Sequence, residues 1–287
     1  MTLFARRFSI AQCAGTVARM AARRRSETLL VTTMMAGERA RHPDELIVEE
    51  PMTVQLDGAT VSTTMRTPGH DYELAVGFCH TEGLLADFPV LGVRYCASAS
   101  AVDSEFNVVT VETGGRAPVP RPRLGNTTSS CGICGNDAID ELCARLLPLP
   151  ATPPIPFDVL HAIPDAVRTA QGLFDSTGSV HAAAAFTNDG EVLMTREDVG
   201  RHNAVDKVIG RLLLDGHLPA MGLGLFVSGR ASFELVQKAW SAGFSTLVAV
   251  SAPTALAVHT ARRAGLVLAG FVRADRLNIY SPERIVP

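Results

Sequence analysis

An α/β fold, a layered sheet preceded by a smaller N-terminal α+β subdomain, is predicted by three features of the sequence. Strand-length apolar runs alternate with helix-length amphipathic stretches through residues 151–287. An alternating apolar pattern broken by Asp57-Gly58 marks a hairpin between Glu45 and Thr67. No apolar run reaches the length of a membrane span, Gly222 to Val227 and Leu266 to Phe271 being only strand-sized. The 287 residues, 47% hydrophobic and 19% charged, suffice for a substantial core, and a net charge of -3 gives no pull toward nucleic acid or a membrane.

The elements follow in order. Before Glu27 stand six arginines and no acid, interspersed with Ala, Val, Phe and Met. An amphipathic targeting segment has that composition, but a secretory signal's compact apolar core and cleavage site are missing. Residues 1–40 are therefore read as a basic, disordered tail. Residues 41–150 read as the α+β subdomain. Leu46 and Val48, then Val54, Leu56 and Val61, supply the hairpin's apolar positions. Asp71 to Leu85 has helical spacing through Leu74, Phe78 and Leu85, with Asp71 as cap. Strands follow at Gly92 to Ala97 and Phe106 to Glu112.

A loop rich in Gly, Pro and Arg then runs from Thr113 and closes on a cysteine pair, spanning residues 113–135. Loops of this length without secondary structure are functional or disordered. Asn136 caps a helix to Leu147, and five prolines between Pro148 and Pro156 form a stiff connector. In residues 151–287, helices are predicted at Asp158 to Leu173, Arg201 to Leu214, Ala231 to Ala242 and Thr254 to Ala264. Strands are predicted at Ser179 to Thr187, Glu191 to Thr195, Gly222 to Val227, Thr246 to Val250 and Leu266 to Phe271.

Of six cysteines, only Cys131 and Cys134 have close spacing, so the pattern is no secreted disulfide framework and a reducing cytoplasm is expected. Ser130-Cys131-Gly132-Ile133-Cys134-Gly135 admits several readings. Structural zinc needs about four ligands, and neither Cys143 nor His161 completes a familiar finger. A thioredoxin-like pair wants a strand directly before it, and here a loop precedes it. A persulfide carrier needs an exposed thiolate; the following helix start favours one, while Asp137, Asp140 and Glu141 oppose it. Buried inert thiols are the fourth reading.

Three polar clusters fall at strand ends. Ser176-Thr177-Gly178-Ser179-Val180-His181 precedes a run of alanines and Phe186, and a histidine so placed is either a hydrogen-bonded core residue or a ligand-facing one. Arg196 to Asn203, containing Asp198 and His202, sits at a strand-to-helix junction, where α/β proteins bind ligands. Ser228-Gly229-Arg230 offers a helix start with an arginine fork, and Arg273 and Arg276 repeat that charge after the last core strand. The three loops with arginines at sheet ends together suggest a polyanionic ligand such as a nucleotide or pyrophosphate. Neither a P-loop nor a dinucleotide fingerprint is present.

From about Asp44 onward the chain resembles the formate dehydrogenase accessory sulfurtransferases, the FdhD family. The resemblance rests on Arg66-Thr67-Pro68-Gly69 with Glu73 to Phe78, the cysteine motif, Thr177 to Ala183, Glu197 to Lys207 and Ser228 to Lys238. It implies a cytidine-deaminase-like three-layer fold and a cytoplasmic homodimer. It implies that sulfur comes from a cysteine desulfurase to Cys131, with Cys134 assisting. The sulfur passes to bis-molybdopterin guanine dinucleotide, the molybdenum cofactor of formate dehydrogenase, bound as a substrate; no catalytic metal of the protein's own is implied. The family's cofactor contact falls on Phe271, Val272, Arg273, Ala274, Asp275 and Arg276. His181, Asp198, His202, Ser228, Gly229 and Arg230 would line the same cleft. A cofactor chaperone that moves no sulfur and a structural zinc module are the alternatives. Deamination is rejected, because the zinc-deaminase motif order is reversed and alanines follow His181 where the catalytic Glu would stand.

Overall fold

The computed structural model describes residues 23–95, 106–119, 146–153, 155–281 and 285–286. Ser26 to Ala40, read above as part of a disordered tail, belongs instead to a hairpin of β1 (Ser26–Met35) and β2 (Glu38–Ile47). Thr, Val, Leu and Met give β1 its strand propensity, and Ala36 and Gly37, at φ 50 and 88, make the turn.

The α+β part is a four-stranded sheet in the order β4-β3-β6-β5, built from β3 (Glu50–Leu56), β4 (Ala59–Arg66), β5 (Gly92–Tyr95) and β6 (Val108–Glu112). Asp57 and Gly58 turn the β3–β4 hairpin with φ 48 and 88, as the dipeptide predicts. The Asp57 carboxylate accepts the Thr113 hydroxyl and, at 2.7 Å, its N–H, which pins the start of the long loop. Met52, Val54, Leu56, Val109 and Val111 face α1 (Asp71–Thr81) and bury Leu74, Ala75 and Val76. The helix stops short of Leu85, and Asp71 does not cap it: its carboxylate takes a bidentate pair of bonds from Arg66, 3.0 and 2.9 Å.

The remaining elements are β7 (Ile155–Pro156), α2 (Phe157–Arg168), α3 (Gly172–Thr177), β8 (His181–Phe186), β9 (Val192–Asp198), α4 (Arg201–Leu214), β10 (Gly224–Val227), α5 (Phe233–Ser241), β11 (Thr246–Ala249), α6 (Ala255–Ala264), β12 (Val267–Gly270), β13 (Asn278–Ile279) and β14 (Ile285–Val286). Six of them form a mixed sheet, β13-β12-β11-β10-β8-β9, in which β10, β11 and β12 run parallel. Alternate residues bury against different helices. Ala183, Ala185, Leu225 and Leu247 face Val205, Ile209 and Leu235 of α4 and α5. Ala184, Phe226 and Val248 face Leu160, Ile163 and Val167 of α2. Helices thus cover both faces, which is why these strands read as continuous apolar runs. The single helix expected over Asp158 to Leu173 is broken because the Glu197 carboxylate, from β9, accepts the N–H groups of Leu173 and Phe174 at 3.0 and 2.9 Å and starts a new helix.

The two parts meet where α1 crosses α4. A Cβ on Gly77 would lie 1.9 Å from the Asp206 carbonyl oxygen, and one on Gly210 would lie 1.8 Å from that of Glu73. Only two glycines allow this approach. Ion pairs flank the crossing: Glu73 with Arg196, and Lys238 with Asp206, which also accepts the Thr81 hydroxyl at 2.9 Å. Burial alone would raise the Glu73 pKa; hydrogen bonds from His70 and Arg196, with their charges, reverse this and bring it to about 2 from 4.5. A depressed acid stabilises the fold above its ordinary pKa, and that contribution disappears as pH falls from 4.5 through 2. Glu73→Gln is therefore expected to cost about 3 kcal/mol at neutral pH. Urea titrations of both proteins should converge toward pH 2, the folded-state pKa of Glu73; a constant difference across pH would refute the assignment. Among the described residues, no helix is long and apolar enough to cross a membrane.

Candidate functional site

A cleft of about 610 Å³ opens beyond the C-terminal ends of β10 and β11 and the N-terminal end of β8. Such strand ends are where α/β sheets hold ligands, and the volume suits a small molecule or part of a larger one. Strand ends contribute His181, Ser228 and Val250; α2 and the α3 region contribute Arg168, Gln171 and Phe174. Gly178, in the left-handed conformation at φ 65, ends α3 and turns the chain into the cleft wall.

His181 and Ser228, singled out from sequence, come together here. The Ser228 N–H donates to the Ala182 carbonyl and its Oγ accepts the Ala182 N–H, both at 2.9 Å. Oγ thereby stands in for a main-chain carbonyl in the β8–β10 ladder and lies 3.4 Å from His181 Nδ1. Gly229 brings its backbone against the same ring: a Cβ there would be 3.5 Å from Nδ1 and 3.7 Å from Arg201 Cδ. Burial, then the charges of Arg201 and His202, hold the His181 pKa below its ordinary 6.5, so the half-buried imidazole is neutral at physiological pH.

The other predicted residues separate into rim and frame. Arg273 donates to the Val250 and Val272 carbonyls at 2.7 and 2.8 Å, which seats the Phe271–Arg276 segment beside the cleft. Within it Val272 is buried, while Ala274, Asp275 and Arg276 are exposed, and Phe271 holds a left-handed φ of 53. Arg230 is exposed on the loop after Ser228. His202 points to α5, with Nε2 2.6 Å from Glu234 and 3.5 Å from Ser232 Oγ. Asp198 does not line the cleft. It is fully buried, and its carboxylate is taken up by the N–H groups of Thr67 and Gly200, the Asn203 amide and Lys207, 2.7–3.1 Å away. The expectation that it faces a ligand is corrected: the α1 subdomain supplies Thr67 and closes over it.

Cys131 and Cys134 lie outside the described residues. The chain on either side of them is fastened to the two parts of the molecule. Thr113 is bound to Asp57, whereas the Leu147 carbonyl accepts the Trp240 indole N–H at 2.8 Å. Cys79 is a bystander, buried on α1 with its thiol pushed up to about 12 by burial and by Asp206 and Glu82. Among the described residues no three His, Cys, Asp or Glu side chains converge to hold a metal. Sequence reasoning missed the α2–α3 wall. Arg168 lies over the Phe174 ring, 4.7 Å from its centroid, and only the fold brings that pair to the strand ends.

Comparison with known proteins agrees with the resemblance. The model of the FdhD/NarQ family matches residues 47–286. A Streptomyces coelicolor protein named sulfur carrier protein FdhD is 46% identical over 264 residues, 89% of this chain and 94% of that one. Its Nocardia farcinica namesake is 48% identical over 268 residues, 92% and 94% of the two chains. The crystal structure of a candidate formate dehydrogenase accessory protein from Desulfotalea psychrophila superposes with a TM-score of 0.71. It covers 91% of this chain and 99% of its own at 23% identity, which establishes a shared fold.

Proposed function

The chain belongs to the FdhD/NarQ family, and from that premise we propose that it is a sulfur carrier that moves sulfur from a cysteine desulfurase to bis-molybdopterin guanine dinucleotide. The observation that carries the reading is the strand-end cleft beside Arg273, in a chain whose only closely spaced cysteines are Cys131 and Cys134. The Cys131 thiolate attacks the outer sulfur of the desulfurase persulfide, takes it as S–SH, and releases the desulfurase thiolate. Cys134 assists. The acceptor is a cargo held in the cleft, with its phosphates toward Arg230, Arg273 and Arg276 and a ring system against the α2–α3 wall. A cytoplasmic homodimer serving formate dehydrogenase, with a cytidine-deaminase-like arrangement of the layered sheet, completes the reading. The names of the relatives, the single closely spaced cysteine pair and the mixed sheet with helices on both faces support it.

Incubation with a cysteine desulfurase and cysteine should raise the intact mass by about 32 Da, one sulfur atom, and Cys131→Ala should abolish the gain. No gain, with GDP still bound, would mean a cofactor chaperone. Stoichiometric zinc lost in Cys134→Ser would mean a structural zinc module.

A further inference from the structure

A hydroxyl has one proton to give, and among the described residues one side-chain acceptor stands within reach of the Ser228 hydroxyl. Oγ already accepts the Ala182 N–H. Among the described residues, that acceptor is His181 Nδ1, 3.4 Å from Oγ. The opposite arrangement, with Nδ1–H donating to Oγ, would give that oxygen a second donor and turn the hydroxyl proton away from the ring, where no described residue accepts it. Donation from Ser228 leaves Nδ1 unprotonated and puts the ring proton on Nε2. Nδ1 faces Ser228 and the Gly229 backbone, and Nε2 has no partner among the described residues, although His181 lines the cleft. The charged groups around the ring are Arg201 and His202 of α4 and Asp198 of β9.

We propose that Ser228 is a positioning residue that locks His181 as the neutral Nε2–H tautomer, so that the cleft meets its ligand with a hydrogen-bond donor and selects an acceptor oxygen. That oxygen is a ring oxo group or a phosphate oxygen. The assignment explains why a serine, rather than a purely apolar residue, follows β10: its side chain extends the ladder and orients the imidazole in one arrangement. It rests on the cleft being the ligand site, but the tautomer itself is a property of the protein alone.

The test uses the full chain labelled with nitrogen-15. Long-range proton–nitrogen spectra, with His181 identified by its loss in His181→Gln, should show Nδ1 in the imine range and Nε2 in the protonated range at neutral pH. Ser228→Ala should move both toward the average of a tautomer mixture, and Ser228→Thr, which keeps the hydroxyl, should restore them. With GDP as probe, His181→Met should weaken binding about tenfold, the loss of one hydrogen bond. His181→Gln, which keeps an N–H near the Nε2 position, should remain within about threefold of the parent. Guanosine and inorganic pyrophosphate as separate probes tell a ring oxygen from a phosphate oxygen by which one His181→Met weakens. A protonated Nδ1 in the parent protein, or ring signals unmoved in Ser228→Ala, overturns the lock. Equal GDP affinity in His181→Met and the parent overturns the donor role. If the tautomer is as stated and the parent binds none of the three probes, the lock stands and the cofactor reading of the cleft falls.

Discussion

Gly210→Ala is expected to destabilise the protein by about 3–5 kcal/mol, at the upper end of what single substitutions do. The added methyl would sit 1.8 Å from the Glu73 carbonyl oxygen and 2.8 Å from the Gly77 nitrogen. Both are backbone atoms of α1, so neither can rotate away. The helices α1 and α4 must part, and the separation strains the Glu73–Arg196 and Asp206–Lys238 pairs that bracket the crossing. Gly77→Ala should behave alike, its Cβ meeting the Asp206 carbonyl at 1.9 Å. Gly172→Ala supplies the control: nothing lies within 4 Å of the Cβ it would introduce, and its effect should stay within about 0.5 kcal/mol. Urea midpoints of the three variants measure the contrast, and a Gly210→Ala midpoint equal to that of Gly172→Ala would show that the helices do not pack as described.

Lys207→Met is expected to cost about 3–5 kcal/mol, because it strands the buried Asp198 carboxylate without its cation. Lys207 and Asp198 are both at 0% exposure and 2.7 Å apart. The ammonium also donates to the Thr67 carbonyl at 3.0 Å and the Glu197 carbonyl at 3.4 Å, so all three protons are used. Burial drags the Lys207 pKa below its ordinary 10.5 despite the carboxylate beside it, which marks a pair held by its surroundings rather than by a net gain in energy. The double variant Lys207→Met, Asp198→Asn should recover part of the loss, since the amide oxygen still accepts N–H groups and no charge is left unpaired. Thermal or urea unfolding reads the recovery; a double variant no more stable than Lys207→Met would show that the charge is not what the lysine balances.

How much of this was legible in the sequence differs from element to element. The Asp57-Gly58 hairpin, α4 over Arg201 to Leu214, and the strands β10 to β12 were readable because a turn dipeptide and apolar periodicity are local signals. The β1–β2 hairpin was obscured by a run of arginines ahead of a strand-forming segment. The break between α2 and α3 was not readable at all, because the carboxylate that caps α3 comes from Glu197, 23 and 24 residues from the N–H groups it accepts.

By itself the sequence determined the α/β class, the order of most elements, the single close cysteine pair and the strand-end placement of His181, Ser228 and Arg273. These follow from side-chain period, turn chemistry and spacing, which are properties of neighbours along the chain. Only the tertiary structure decided what each polar residue does. Asp198 and His202 stand four positions apart in one motif, yet the first is sealed under Thr67, 131 residues distant, and the second reaches Glu234 on another helix. Whether a polar side chain meets a ligand or the interior depends on which distant surface docks over it. That docking is set here by two glycines whose missing side chains let α1 and α4 touch.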